Sequence, residues 1–162
     1  MDPRRELLEL LVEDARYDVE ELAAQTDLDV EAVEAHLADL EAEGVIQGYQ
    51  AVVDWDRVDT EHVRAIVELN VALDRETGYD DISGRIARYP AVDSLRLVSG
   101  DFDFAVEVVG DSIHDVSTFV AEQIAPIPEV TQTVTHFVMT TYKDSGVEFR
   151  EETEDDRLSV SP

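Results

Sequence analysis

The chain has no cysteine and one lysine, Lys143, among its 162 residues. The first absence excludes a disulfide framework, a thiolate nucleophile and a cysteine zinc site. Lys plus Arg total 12 against 39 Asp plus Glu, a formal charge of −27, so the chain lacks the basic footprint usual in nucleic-acid binding. No apolar run approaches a membrane span. The opening Met1-Asp2-Pro3-Arg4-Arg5-Glu6 has no signal-peptide core, and a cytoplasmic location is the expectation. There is no glycine-rich phosphate loop and no GxSxG elbow, and His36, His62, His114 and His136 are scattered without ligand spacing. Carboxylate pairs such as Asp80-Asp81 occur by chance among so many acids. No catalytic residue, metal or resident cofactor is therefore expected.

What is present is a foldable chain, 44% apolar, in which acidic residues run through periodic segments instead of gathering in a tail. Such a surface repels itself in dilute buffer and is tolerable in concentrated salt, where the Debye length falls to about 3 Å at 1 M. An acid-rich, lysine-poor surface of this kind resembles proteins of salt-in halophiles.

The first third reads as three short helices with clear punctuation. Asp2-Pro3 starts one whose stripe is Leu7, Leu8, Leu10 and Leu11. Asp18 with Glu21 three positions later makes a capping box for the second, and Leu22 and Ala23 face inward. After Thr26-Asp27-Leu28, Asp29 caps the third; Val33, Leu37 and Leu40 continue the buried face, Leu28 and Val33 form a hydrophobic staple, and Gly44 ends it. With the β-like Val45-Ile46-Gln47-Gly48-Tyr49 behind it, this is the layout of a winged helix-turn-helix. The same spacing also suits a plain three-helix bundle.

From Trp55 the period changes to two. Val63 to Leu73 alternates as a strand; Tyr79, Ile82, Ile86 and Tyr89 follow at helical spacing until Pro90. Strands are expected over 92–98 and 102–109, a helix beginning at Asp111 or Ser112 with Ile113, Val116, Val120 and Ile124 inward, and a last strand over 130–142. The order βαβ–βαβ is a ferredoxin-like split arrangement, an antiparallel sheet covered by two helices on one side, in an α+β chain. The other sheet face needs a partner, so a homodimer at least is expected.

The segments Leu7–Arg16, Glu21-Leu22-Ala23, Leu40–Tyr49, Val98–Asp103 and Ile127–Thr133 resemble the Lrp/AsnC family in unbroken order over roughly residues 4 to 147. That resemblance implies a DNA-binding domain joined to a ferredoxin-like (RAM) domain that builds dimers and higher rings, such as octamers, and often binds an amino acid between dimers. It also implies a regulator of amino-acid or nitrogen metabolism genes. The expected divisions are 1–50 for the helix-turn-helix, 51–61 for a linker, 62–143 for the sensor and assembly domain, and 144–162 for an acidic tail.

Two sets of residues carry the functional expectation. For double-stranded DNA they are Gln25, Glu31, Glu34, Ala35, His36 and Ala38, on or beside the third helix. The family usually shows basic or hydroxyl residues there, whereas Met1 to Gly48 holds three arginines against fifteen carboxylates. In molar salt counterion release contributes little, and hydrogen bonds and shape can carry recognition. The alternative is a RAM-domain amino-acid sensor with little DNA affinity of its own, acting through hetero-oligomers with a basic paralogue. For a small amino-acid-like effector the residues are Ser99, Gly100, Asp101 and Asp103, where glycine permits close approach and a carboxylate can hold an ammonium group. Thr131, Thr133 and Thr135 join them on one face of the last strand. The resemblance points to the same two segments, and departs at Glu129, where the family often has glycine. On residues alone, Gly-Asp is also an ordinary turn and threonine an ordinary strand residue.

Overall fold

The computed structural model describes residues 2–149. The chain divides into two compact units: residues up to Val53 together with Lys143–Glu148, and Asp54–Tyr142 with Phe149.

The first unit holds helices α1 (Pro3–Glu13), α2 (Val19–Gln25) and α3 (Val30–Ala42). Each starts on an aspartate that satisfies an otherwise orphaned backbone amide: Asp2 accepts from Arg4, Asp18 from Glu21 and Asp29 from Ala32. At Asp18 the bond is reciprocated by the Glu21 side chain, completing the box. Gly44, at φ 71°, closes α3, with the Val45 amide donating to Leu40 O and the Gly44 amide to Glu41 O. Leu7, Leu22 and Val33, one from each helix, form the buried centre. The β-like segment 45–49 forms no strand. Tyr49 instead turns back, its hydroxyl donating to Glu41 at 2.9 Å.

The second unit opens with a short 3-10 turn, Trp55–Arg57, and a Trp55–His62 ring stack. There follow β1 (Val63–Val71), α4 (Tyr79–Ile86), β2 (Val92–Leu97), β3 (Phe104–Gly110), α5 (Ile113–Phe119) and β4 (Val130–Phe137). The sheet order is β2-β3-β1-β4, with antiparallel neighbours throughout. This is the expected ferredoxin-like arrangement. Ala65, Val67 and Leu69 of β1 and Phe104, Val106 and Val108 of β3 meet Ile82 and Ile86 of α4 and Val116 of α5 in one core. The opposite face carries Arg64, Ile66 and Glu68 of β1 beside Glu107 of β3 and His136 of β4. It is tied by the Arg64–Glu107 ion pair (2.9 Å) and by a contact of His136 Nε2 with Glu68 Oε1 (3.2 Å). Ile66 and Val134 remain exposed there.

Four expectations are corrected. Helix α5 passes into a π turn, Val120–Ile124, before the prolines; this keeps Val120 and Ile124 buried, while Ile113, in the first turn, stays exposed. The last strand stops at Phe137 instead of 142: Ala65 faces Phe137, the Val138 amide donates to Arg64 O, and β1 begins at Val63, so β1 offers no partner for the residues up to 142. Leu73 lies beyond the end of β1 and is exposed. Finally, residues 144–148, placed in the acidic tail, form a hairpin with Lys143: β5 (Lys143–Asp144) pairs with β6 (Val147–Glu148). Ser145 and Gly146 both have positive φ, 47° and 85°, as a two-residue type I′ turn requires. The remainder of that tail, 150–162, lies outside the described residues.

Candidate effector site and nucleic-acid interface

The residues proposed for DNA contact gather at one region of the first unit. Gln25 closes α2, and Glu31, Glu34, Ala35 and Ala38 are exposed along α3, with His36 half-buried among them. No cation lies on α3. Of the three N-terminal arginines, Arg4 pairs with Glu43 and Arg5 with Glu9 at 2.8 Å, both internal contacts. The Arg4 hydrogen bond holds Glu43 below the ordinary carboxylate value and raises Arg4 in return. Among the described residues, the Arg16 side chain, exposed in the turn between α1 and α2, makes no ion pair.

The two proposed effector segments flank the C-terminal end of β1. On one side, the Asp103 amide donates to Leu69 O at 2.8 Å, and the Val71 amide donates to Asp103 Oδ2 at 2.9 Å. On the other, the Ala72 amide donates to Glu129 O at 2.8 Å, and Thr131 Oγ1 donates to Asn70 O at 3.1 Å. A register shift at Asn70/Val71 leaves Thr131 as the extra residue of β4. Thr133 and Thr135 stand opposite Leu69 and Val67, on the face covered by the helices.

The structure thus sorts the seven residues into different tasks. Both Asp103 oxygens are engaged, the second by the Tyr79 hydroxyl at 3.4 Å, and the Thr131 hydroxyl is spent on β1. What the loop leaves open is Ser99, Gly100 and Asp101, all exposed, with Gly100 at φ 123° where a side chain would be strained. Beside the loop lies a cavity of about 360 Å³ lined by Tyr79, Asp80, Ser83 and Gly84 of α4 and by Leu95, Leu97 and Phe104 of the sheet. Its apolar floor and few polar groups suit a small organic ligand. Sequence reasoning missed this cavity and the part played by Tyr79. Nothing local marks them, because α4 meets the loop only through tertiary packing. Among the described residues no group of three or more His, Asp or Glu could hold a metal, and no helix is long and apolar enough to cross a membrane.

Comparison with known proteins agrees with this architecture. Residues 2–47 match the family model for winged helix-turn-helix DNA-binding, and residues 64–148 match the Lrp/AsnC ligand binding domain. The uncharacterized HTH-type transcriptional regulator YugG of Bacillus subtilis is 37% identical over 97% of this chain and 95% of its own length. The proline dehydrogenase transcriptional activator of Rhizobium radiobacter is 27% identical, covering 87% of this chain and 90% of its own. A feast or famine regulatory protein from M. tuberculosis, solved with L-methionine, superposes with a TM-score of 0.71 at 27% identity over 88% of this chain and 94% of that one. Two family models matched in order along one chain, with a relative this similar over almost the whole length, place this protein in the Lrp/AsnC family of transcription regulators, which is not a family of enzymes.

Proposed function

We propose that this chain regulates amino-acid or nitrogen metabolism genes by binding double-stranded DNA through α2 and α3, and that a small amino-acid-like effector binds at loop 99–103 and modulates that binding. The observation that carries the reading is the open Ser99–Asp101 loop beside an apolar cavity of about 360 Å³. The glycine lets an α-amino acid approach the backbone, and the exposed Asp101 carboxylate matches its ammonium group. The names of the relatives, a proline dehydrogenase activator and a methionine-bound regulator, support this effector class. Ile66 and Val134, exposed on the open sheet face, support self-association there into a dimer, the building block of an octamer. The acidic surface suits work in a cytoplasm rich in salt.

One observation favours a second reading. With no cation on α3 and two of the three N-terminal arginines paired internally, direct DNA affinity has little electrostatic support. In that reading the protein is an amino-acid sensor that reaches DNA inside hetero-oligomers with a basic paralogue.

Footprinting on its own promoter in concentrated KCl, with and without a pool of amino acids, separates the two. The expected result is a discrete footprint that persists at high salt and changes with the pool. A folded oligomer that leaves no footprint alone, and gains one only with a basic paralogue, establishes the second reading.

A further inference from the structure

The two segments of the candidate site lie far apart in sequence, yet one short helix touches both. At the N-terminal end of α4, the Tyr79 hydroxyl donates to Asp103 Oδ1 at 3.4 Å, and its ring packs edge-on against Phe104, with centroids 5.8 Å apart. Near the C-terminal end, Arg85 Nη2 lies 2.7 Å from Glu129 Oε2. The N–H bond is turned away from that oxygen, so the contact is Coulombic more than an aligned hydrogen bond. The Glu129 side chain is only 14% exposed, which shields the pair from solvent better than an ordinary surface bridge. Tyr79 and Arg85 stand six residues apart, about 9 Å along the helix axis. Ile82, between them, and Ile86, next to Arg85, are fully buried in the sheet core, so the helix is anchored near both of its ends.

The contact with Arg85 holds the Glu129 side chain against α4. It fixes the turn that leads into Val130 and the Thr131 bulge, just as Tyr79 fixes the residue that closes loop 99–103.

We propose that α4 is a strut joining the two halves of the candidate effector site, with Tyr79 and Arg85 as positioning residues that make loop 99–103 and the start of β4 respond together. A ligand that displaces the loop is then felt at the β4 bulge through α4, and loosening the bulge is felt at the loop. The inference deepens the effector-site reading, but its test needs neither effector nor DNA.

Coupling between two places is reciprocal, so two conservative variants test it from opposite ends. Glu129→Gln removes only the charge toward Arg85 and leaves the Ala72–Glu129 backbone bond in place. Tyr79→Phe removes only the hydroxyl. Hydrogen exchange is measured on the full-length protein in concentrated KCl. The amides read are Val98 and Asp103 for the loop, and Ala72 and Val130 for the β4 side; each is hydrogen-bonded in the native fold. Exchange at Val67 and Val106, in the sheet centre, verifies that both variants stay folded. Glu129→Gln is expected to speed Val98 and Asp103 by about fivefold or more, and Tyr79→Phe to do the same at Ala72 and Val130, the low end of coupling between sites. If each variant changes only its own end, the strut is overturned, while the effector-site reading is left to be judged by the footprint alone.

Discussion

The two units are stabilised in different ways. Among the described residues the helix-turn-helix unit buries four apolar side chains, Leu7, Leu22, Val33 and Leu40, and its helix starts are set by aspartates bonded to amides two or three positions ahead. The sensor unit has eleven buried residues in one core and a central strand paired on both sides. Apolar burial is the dominant favourable term in folding, so the first unit is expected to depend more on local hydrogen bonds and to open before the second.

The difference can be broken from the larger core first. Phe104→Ala removes a fully buried ring at the end of β3 beside α4 and is expected to cost the sensor unit about 3–5 kcal/mol. Urea unfolding followed by near-ultraviolet circular dichroism measures it, and a cost under about 1 kcal/mol would show that the core rearranges freely. Leu22→Ala, in the small centre of the first unit, is expected to cost about 2–5 kcal/mol. A loss of that size should melt α1 to α3 while leaving β1 to β4 intact, giving a native-state exchange pattern confined to residues 3–42. Simultaneous loss of both units would contradict the asymmetry.

Smaller effects sharpen the same contrast. Asp18→Ala deletes one half of a reciprocal cap and is expected to lower first-unit stability by about 1 kcal/mol; a matched change in sensor-unit exchange would argue against independence. The smallest effect is that of pH on Arg4–Glu43. Because the Arg4 hydrogen bond lowers Glu43, the pair contributes fully above the ordinary carboxylate range and is lost as pH falls through the lowered value. Acid unfolding curves of the parent and Glu43→Gln should therefore converge at low pH and separate at neutral pH, with the parent more stable.

Much of this was legible because it is local. A cap or a C′ glycine is decided within five residues, which is why Asp2, Asp18, Asp29 and Gly44 mark the helices where the chain forms them. The period-two alternation over 63–73 and 102–109 likewise identifies the strands that form at 63–71 and 104–110. The hairpin at 143–148 was missed although Ser145-Gly146 is a turn signal, because the surrounding charge suggested a tail. The candidate site was legible only as two segments: the glycine at 100 and the threonines of β4 stand out, but their tasks do not. Asp103 looks like a ligand group until Val71, thirty-two residues away, and Tyr79 occupy its oxygens.

The sequence by itself therefore determined the order of the main elements, the helix starts in the first unit and the charge of the surface, since these rest on composition, period and short-range hydrogen bonds, while the family resemblance rests on ordered segments along the chain. Tertiary structure alone decided which polar groups are free. Contacts such as Val71–Asp103 and Arg85–Glu129 form only once folding has met the entropy of closing long loops, and no pattern along the chain announces which distant groups will meet.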